Sequence, residues 1–421
     1  MVLEIRLSNF FSIKDEVSID FRAANLKSAT VRELSDNVFA FDDSDVLKTI
    51  ILYGANESGK SNVIKTIRFC NSMVFRSHMH NENTIFNFKP FKFNGLPDKP
   101  SSYLIRFVSN DIEYEYTFSL TQNQILTESL FYYPKGRIKE IFTRDERNGT
   151  SKSDIYTFGD VIRRPMDVAE NTSKKTLFIS RASQMDRDIP KEIFNYFYST
   201  FILQYPGFGK AVIENLSPKT KQQLIDALKI ADSDIVDVKF RSLKNPVKNI
   251  NANLDTLTLT VEDVVDEALE ITTYHKHNPH VGFNFLSEES QGTIKLFFIM
   301  VAILDIVKHN KILLIDEIEE SLHPRIIEYI FNFFRAGNRA QLLCTTHNTR
   351  FLDLKKMRKD QIYFVNKKQD ASTDLYSLYD FKDFRDTMDL EKAYLQGRFD
   401  AVPFVSYSLE TIKSILHDQE S

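Results

Sequence analysis

The chain has 421 residues, enough for one large or two ordinary domains with a substantial core. Its apolar share of 42% and charged share of 27% are those of a soluble globular protein, and a formal net charge of -4 excludes a generally basic surface for coating nucleic acid. Two cysteines, Cys70 and Cys344, cannot build a disulfide framework or a structural zinc site, and both read as buried reduced thiols. The start, MVLEIRLSNF, lacks the basic end and apolar run of a signal peptide. The longest apolar stretch, Leu296 to Ile306, is too short to span a bilayer and carries Asp305. A cytoplasmic protein without membrane contact is expected.

In chain order, LEIRLSNFFSIKDEVSIDF alternates apolar and polar positions about a charged turn at Lys14-Asp15-Glu16, which predicts a hairpin. A polar loop is expected from Ala24 to Asp45. Lys48 to Tyr53 is a short, nearly continuous apolar run, as a strand buried on both faces requires. Helical spacing follows from Ser61 to Phe75. Period-two patterning from Phe86 to Leu130 predicts a meander with a turn at Asp111, and Arg144 to Asp160 reads as loop. Spacing from Asp186 to Ile230 is mostly helical, interrupted at Pro206-Gly207 and Pro218. Short strands are expected at Ile235–Phe240, Thr256–Val261 and Glu270–Tyr274. The last third alternates helix (Gln291–Lys308), strand (Lys311–Ile315), helix (Pro324–Arg335) and strands at Gln341–Thr345 and Gln361–Val365. No heptad pattern is sustained, which argues against a long coiled-coil arm.

Between the Lys48–Tyr53 strand and the following helix lies Gly54-Ala55-Asn56-Glu57-Ser58-Gly59-Lys60-Ser61, a full match to G-x-x-x-x-G-K-[ST]. The glycines let backbone N–H groups turn inward around phosphates. Lys60 reaches the β- and γ-phosphates, Ser61 offers a hydroxyl to Mg2+, and the helix presents its positive end to the anion. ATP and Mg2+ are the expected ligands.

Downstream, the apolar strand Lys311–Ile315 ends in Asp316-Glu317. Beside a P-loop, Asp316 suits the orientation of Mg2+, and Glu317, one residue on, suits the polarisation of an attacking water. Ser287-Glu288-Glu289-Ser290-Gln291-Gly292-Thr293 opens a long apolar helix. Its start is a ready anion site, although Ser290 would also serve as a plain N-cap. His347 leaves the strand Gln341–Thr346, where an imidazole can contact the γ-phosphate. A lone His is more often structural; its place one strand after Asp316-Glu317 favours the functional reading.

The ordered set GANESGKS, SEESQGTIKLF, ILLIDEIEESLHP and LLCTTHNTRFL resembles the ATPase heads of the ABC superfamily, in the SMC, RecF and OLD-like branch rather than the transporters. The resemblance implies an α/β P-loop NTPase head with a Walker A loop, a signature, a Walker B strand, a D-loop at Ser321-Leu322-His323 and a switch histidine at His347. It also implies that the signature of one subunit, Ser290 and Gly292, closes on the γ-phosphate held by another. A narrower resemblance, to bacterial AAA-type ATPases of the abortive-infection or RloA-like kind, rests on Ser8-Asn9-Phe10, Phe88-Lys89-Pro90-Phe91-Lys92-Phe93, the S-x-G-T signature and Ala393-Tyr394-Leu395-Gln396-Gly397-Arg398. Gln291 replaces the first glycine of the transporter signature, and no Q-loop glutamine can be placed: Gln122 and Gln124 lie in the right broad region, but a loop Gln is more often plain surface.

The expected organisation is one head made from both chain ends. Residues 1–85 supply hairpin and Walker A, and residues 281–421 supply signature, Walker B, D-loop and switch. An inserted strand-rich and helical region spans residues 86–280. The resemblance implies a regulatory ATPase of a bacterial antiphage defence module, acting as a homodimer or higher homo-oligomer. The short stretch after Gly397 cannot hold the TOPRIM nuclease domain of OLD-type proteins, so a separately encoded nuclease or toxin is the expected effector. The alternative is a DNA-repair or chromosome-structure head that binds DNA through the basic runs Lys239–Lys248 and Lys355–Lys359. Tyr274–His280 has a histidine spacing that fits no metal-ligand set and reads as a polar turn, and Asp232-Ser233-Asp234 reads as a solvated helix end.

Overall fold

A computed structural model of the protein describes residues 1–26, 29–93, 95–202, 216–231, 233–253, 258–385 and 387–402, with Ile412 and Ile415; the side chains of 29–30, 202 and 242–268 lie outside this description. The opening hairpin forms as β1 (Val2–Ser8) and β2 (Val17–Asp20), with Ile5 opposite Ile19. A second small hairpin, β3 (Val38–Phe41) and β4 (Ser44–Leu47), occupies part of the expected polar loop. Its turn uses Asp42 at φ 48°, a conformation Asp tolerates better than most residues. β5 (Thr49–Gly54) runs into the glycine-rich loop and helix α1 (Lys60–Arg76). Next come β6 (Ser101–Ser109), β7 (Ile112–Leu120), β8 (Ile125–Tyr132), β9 (Lys139–Asp145) and β10 (Tyr156–Phe158). Helices α2 (Phe178–Gln184) and α3 (Asp188–Thr200), the two-residue β11 (Phe201–Ile202) and α4 (Pro218–Ile230) follow. Then β12 (Ile235–Asn253), β13 (Thr258–His275) and β14 (Asn278–Asn284) lead to α5 (Gln291–His309). The chain continues through β15 (Ile312–Ile315), α6 (Pro324–Ala336), β16 (Gln341–Thr346), β17 (Ile362–Lys367), β18 (Thr373–Ser377) and α7 (Leu390–Leu395).

Two large sheets organise the molecule. An antiparallel sheet has the order β10-β9-β8-β7-β6-β1-β2, so the meander extends the sheet that the first strand begins. Strands from both sides of the boundary expected near residue 85 therefore pair in one sheet. β10 lies in the stretch expected to be loop, where Thr157 alone separates two aromatic residues and the pattern is too short to read.

The second sheet, β11-β15-β16-β5-β17-β18, is parallel except for its last strand. Its central strands read as continuous apolar runs because they face two cores. Ile50 and Leu52 pack with Val63, Ile64 and Ile67 of α1 and with the antiparallel sheet, whereas Ile51 and Tyr53 pack with Phe297, Met300 and Val301 of α5. Helix α5 is buried on most sides, which explains its nearly unbroken apolar sequence. Helix α6 shows the narrower stripe Ile327, Ile330, Phe331 and Phe334. Its last carbonyls, of Arg335 and Gly337, each accept from Lys48 Nζ at 2.8 Å, a cation at the negative helix end.

The ladder of β12 and β13 runs from Ile235 opposite His275 to Asn253 opposite Thr258. The short strands expected from sequence are thus parts of one hairpin ribbon, about 60 Å long at the usual rise per residue. Pro246 and the Asn-rich run 249–253 read as breaks, but β12 is an edge strand, where a missing N–H is tolerated.

Candidate nucleotide site

Parallel strands present their carboxyl ends on one edge of a sheet, the usual place for a ligand crevice. Here β5 lies next to β16, and β16 next to β15, so the phosphate loop, His347 and Asp316-Glu317 emerge side by side. The loop conformation demands its glycine. Gly59 sits at φ 108°, and a Cβ there would stand 1.9 Å from Thr373 Oγ1 and 2.8 Å from Ser12 Oγ. That closeness reflects a polar brace behind the loop. Thr373 Oγ1 donates to the Ser58 carbonyl at 2.9 Å and lies 2.7 Å from Ser12 Oγ, which accepts from Asn62 Nδ2 at 2.7 Å.

Lys60 is 5% exposed, and its ammonium donates to the carbonyls of Gly54 and Ala55 at 2.9 and 2.8 Å. Burial lowers its pKa to about 8, against the opposing pull of Asp316, Glu317 and Glu319. The ammonium is the positive charge at the floor of the loop, and the carboxylates beside it are oxygen donors of the kind that bind a hard cation. A cleft of about 470 Å³ opens here, lined by Asn56, Glu57, Gly59, Lys60, Ser61, Asn62, Glu317 and His347. Gly54, Ala55 and Ser58 do not line it; the first two hold the lysine, and Ser58 is buried.

One hydroxyl organises the acidic strand end. Thr345 Oγ1 donates to Asp316 Oδ1 at 2.7 Å and accepts from the Glu317 N–H at 2.7 Å. Glu317 itself sits at φ 50°, a left-handed conformation that only surrounding contacts can hold in a non-glycine residue. Glu319 accepts from the His347 N–H and so fixes the exit of β16. The His347 ring, exposed on one side, is held below its ordinary pKa, first by partial loss of hydration where it meets the cleft and second by the nearby Lys60. The hydroxyl of Ser61 and the carboxylate of Asp316 are hard oxygen donors, of the chemical type that suits Mg2+.

The signature segment is placed differently. Ser290 caps α5, accepting from the Thr293 N–H at 3.0 Å, and is exposed. Gly292 packs on the D-loop, where a Cβ would lie 2.9 Å from the Ser321 carbonyl oxygen. Neither residue lines the cleft over Lys60. One chain therefore brings together residues 54–61, Asp316, Glu317 and His347, and leaves Ser290 and Gly292 outside.

Sequence reading missed Ser12, Asn62, Thr345 and Thr373. Thr345 carries a signal, a hydroxyl inside an apolar strand two residues before His347; Ser12 and Thr373 meet across 361 positions and carry none. Gln122 donates to the Phe88 carbonyl at 2.8 Å and braces a loop. The Phe88–Phe93 segment serves the hairpin: Phe88 packs on Phe10, and Asn9 Oδ1 accepts from the Phe91 N–H. Tyr394 of α7 packs against Tyr53 beneath the phosphate loop. Among the described residues no group of His, Cys, Asp and Glu side chains could hold a metal by itself. Asp232 and the interruption at Pro206-Gly207 lie outside the described residues. In the basic run at Lys355, Lys356 pairs with Glu328, and Arg358 is buried against Asp360. No described helix is long and apolar enough to cross a membrane.

Strand, phosphate loop and helix, followed on the same sheet edge by paired acids and a histidine, define an α/β protein of the P-loop nucleotide-binding class. The family described as "AAA domain, putative AbiEii toxin, Type IV TA system" matches residues 50–353, and the chain belongs to it. Among solved structures, the chain is similar to an SMC head bound to the C-winged helix domain of ScpA, with 16% identity, TM-score 0.39, and 94% of this chain and 99% of that one covered. It is also similar to the SMC head domain from Thermotoga maritima, with 14% identity, TM-score 0.39, and coverage of 89% and 98%. No curated protein matches the chain.

Proposed function

We propose that the chain binds and hydrolyses ATP with Mg2+, and that ATP closes two copies head to head. The observation that carries this reading is the division just described: a cleft with cradle, acids and histidine, and a signature serine exposed outside it. The loop N–H groups, Lys60 and the positive end of α1 bind the phosphates. Ser61 and Asp316 would hold Mg2+, which supplies charge neutralisation on the phosphate oxygens. Glu317 accepts a proton from water at the γ-phosphate, and His347 donates a hydrogen bond to a γ-phosphate oxygen. Ser290 and Gly292 of the second copy complete the phosphate shell.

The abortive-infection character of the family supports placing this ATPase in a bacterial antiphage defence module, controlling a separately encoded nuclease or toxin. The test is a Glu317→Gln chain with ATP and Mg2+ in sedimentation velocity. Slowed turnover with an accumulated dimer is expected, and a chain that stays single with unslowed turnover would sink the reading. The DNA-repair alternative is less supported, because Lys356 and Arg358 are spent on internal partners and the ribbon register sets Arg241 opposite Glu270. A salt-dependent affinity for bare duplex that rises with ATP would revive it.

A further inference from the structure

We infer that Glu289 is a positioning residue that ties the signature serine to the base of the β12–β13 ribbon; the inference rests on the head-to-head reading above. Glu289 immediately precedes Ser290, the cap of α5, and its side chain is only 8% exposed. Among the described residues, its side-chain hydrogen bonds go to β13. Oε1 accepts from Thr273 Oγ1 at 2.5 Å and lies 2.8 Å from His275 Nε2. Thr273 and His275 are two apart on one strand and so present to the same face. Thr273 is fully buried, and the His275 ring sits edge-on against Phe283 of β14, with centroids 4.8 Å apart. Asp234, His277 and Glu288 line the hollow around this contact.

A carboxylate suits the role because one oxygen can take two donors, fixing the main chain at 289 in direction as well as depth. The apolar contact of Phe285 with Phe297 anchors the segment but allows sliding; the polar contact sets its register. On its other flank the first turn of α5 touches the catalytic strand end of its own chain. Gly292 abuts the Ser321 carbonyl, and Lys295 Nζ lies 3.4 Å from the Glu317 carbonyl oxygen. The signature turn is therefore held between the ribbon and the acid that faces water. A partner that shifts the ribbon moves Ser290, and with it the half-site offered to the second copy.

The experiment uses the full chain in the Glu317→Gln background, with the dissociation constant of the ATP-bound dimer measured for Glu289→Ala, Glu289→Gln and Thr273→Val. Nucleotide affinity is measured separately at protein concentrations where the chain is single. Glu289→Ala is expected to weaken the dimer about ten- to a hundredfold, the scale of a displaced contact group. Nucleotide affinity of the single chain should stay within about twofold, since that cleft does not include residue 289. Thr273→Val should weaken the dimer less, and Glu289→Gln, which keeps an acceptor for Thr273, should restore most of it. A Glu289→Ala dimer as tight as the parent overturns the inference. So does an equal loss of dimer and nucleotide affinity in both Ala and Gln variants, which marks a merely structural residue. If the parent itself forms no ATP-dependent dimer, the head-to-head reading fails, and this inference with it.

Discussion

The phosphate loop and the signature turn are both helix N-termini with a small residue pressed against a neighbouring carbonyl or hydroxyl, yet they are finished to different degrees. At the loop, Gly59 is locked at φ 108° by Thr373 and Ser12, and Lys60 is buried and bonded. At the signature, Ser290 satisfies only its own helix and faces outward. The first end is shaped for phosphate before any ligand arrives. The second is a shaped surface whose counterpart is not in the same cleft. Preorganisation is thus concentrated where charge must be held tightly, and exposure is kept where the proposed second copy would dock.

That contrast can be broken by substitution. The largest effect expected is for Glu317→Gln, which should lower ATP turnover about 10²- to 10³-fold while nucleotide binding persists, measured by phosphate release. Gly59→Ala should come next. The left-handed conformation and the 1.9 Å approach to Thr373 Oγ1 cannot both survive. A stability loss of about 1–3 kcal/mol and a marked loss of nucleotide affinity are expected, read by thermal melting and titration. Thr373→Val removes the donor to the buried Ser58 carbonyl and should cost about 1–2 kcal/mol, with weaker nucleotide binding. If it changes nothing, the brace behind the loop is not part of its preorganisation. Ser290→Ala should cost about 1 kcal/mol through the lost cap. It should also depress turnover at protein concentrations where dimers form, leaving single-chain nucleotide affinity alone.

The smallest effect at neutral pH is that of pH itself, and its sign follows from Lys60. Below a pKa of about 8 the ammonium is present in the folded chain; above it the amine is neutral. Affinity for nucleotide should therefore fall as pH rises through 8, by at most about tenfold per unit. In the ligand-free chain the unfolded lysine keeps its proton to about pH 10.4, so between about 8 and 10.4 the unfolded state binds more protons. This group then adds stability as pH rises. A nucleotide affinity that stays flat from pH 7 to 9.5 would show that the cradle does not depend on the lysine charge.

How much was legible follows from range. The strand before the loop, helix α5 and the stripe of α6 were readable because their apolar patterns are local consequences of what they bury. The ribbon was read as fragments, because Pro246 and the Asn run carry turn chemistry that an edge strand can absorb. The β3–β4 hairpin and β10 were too short to show a period.

The sequence by itself determined the phosphate loop, the acids Asp316 and Glu317, and the order in which signature and histidine follow. Phosphate binding needs particular residue types at fixed neighbouring positions, and that demand is written along the chain. Only the tertiary structure decided that Thr345 aims both acids, that Ser12 and Thr373 lock Gly59, and that Ser290 stands outside the cleft of its own chain. Those relations join residues from 28 to 361 positions apart, where side-chain contacts are set by sheet order and packing rather than by any local period.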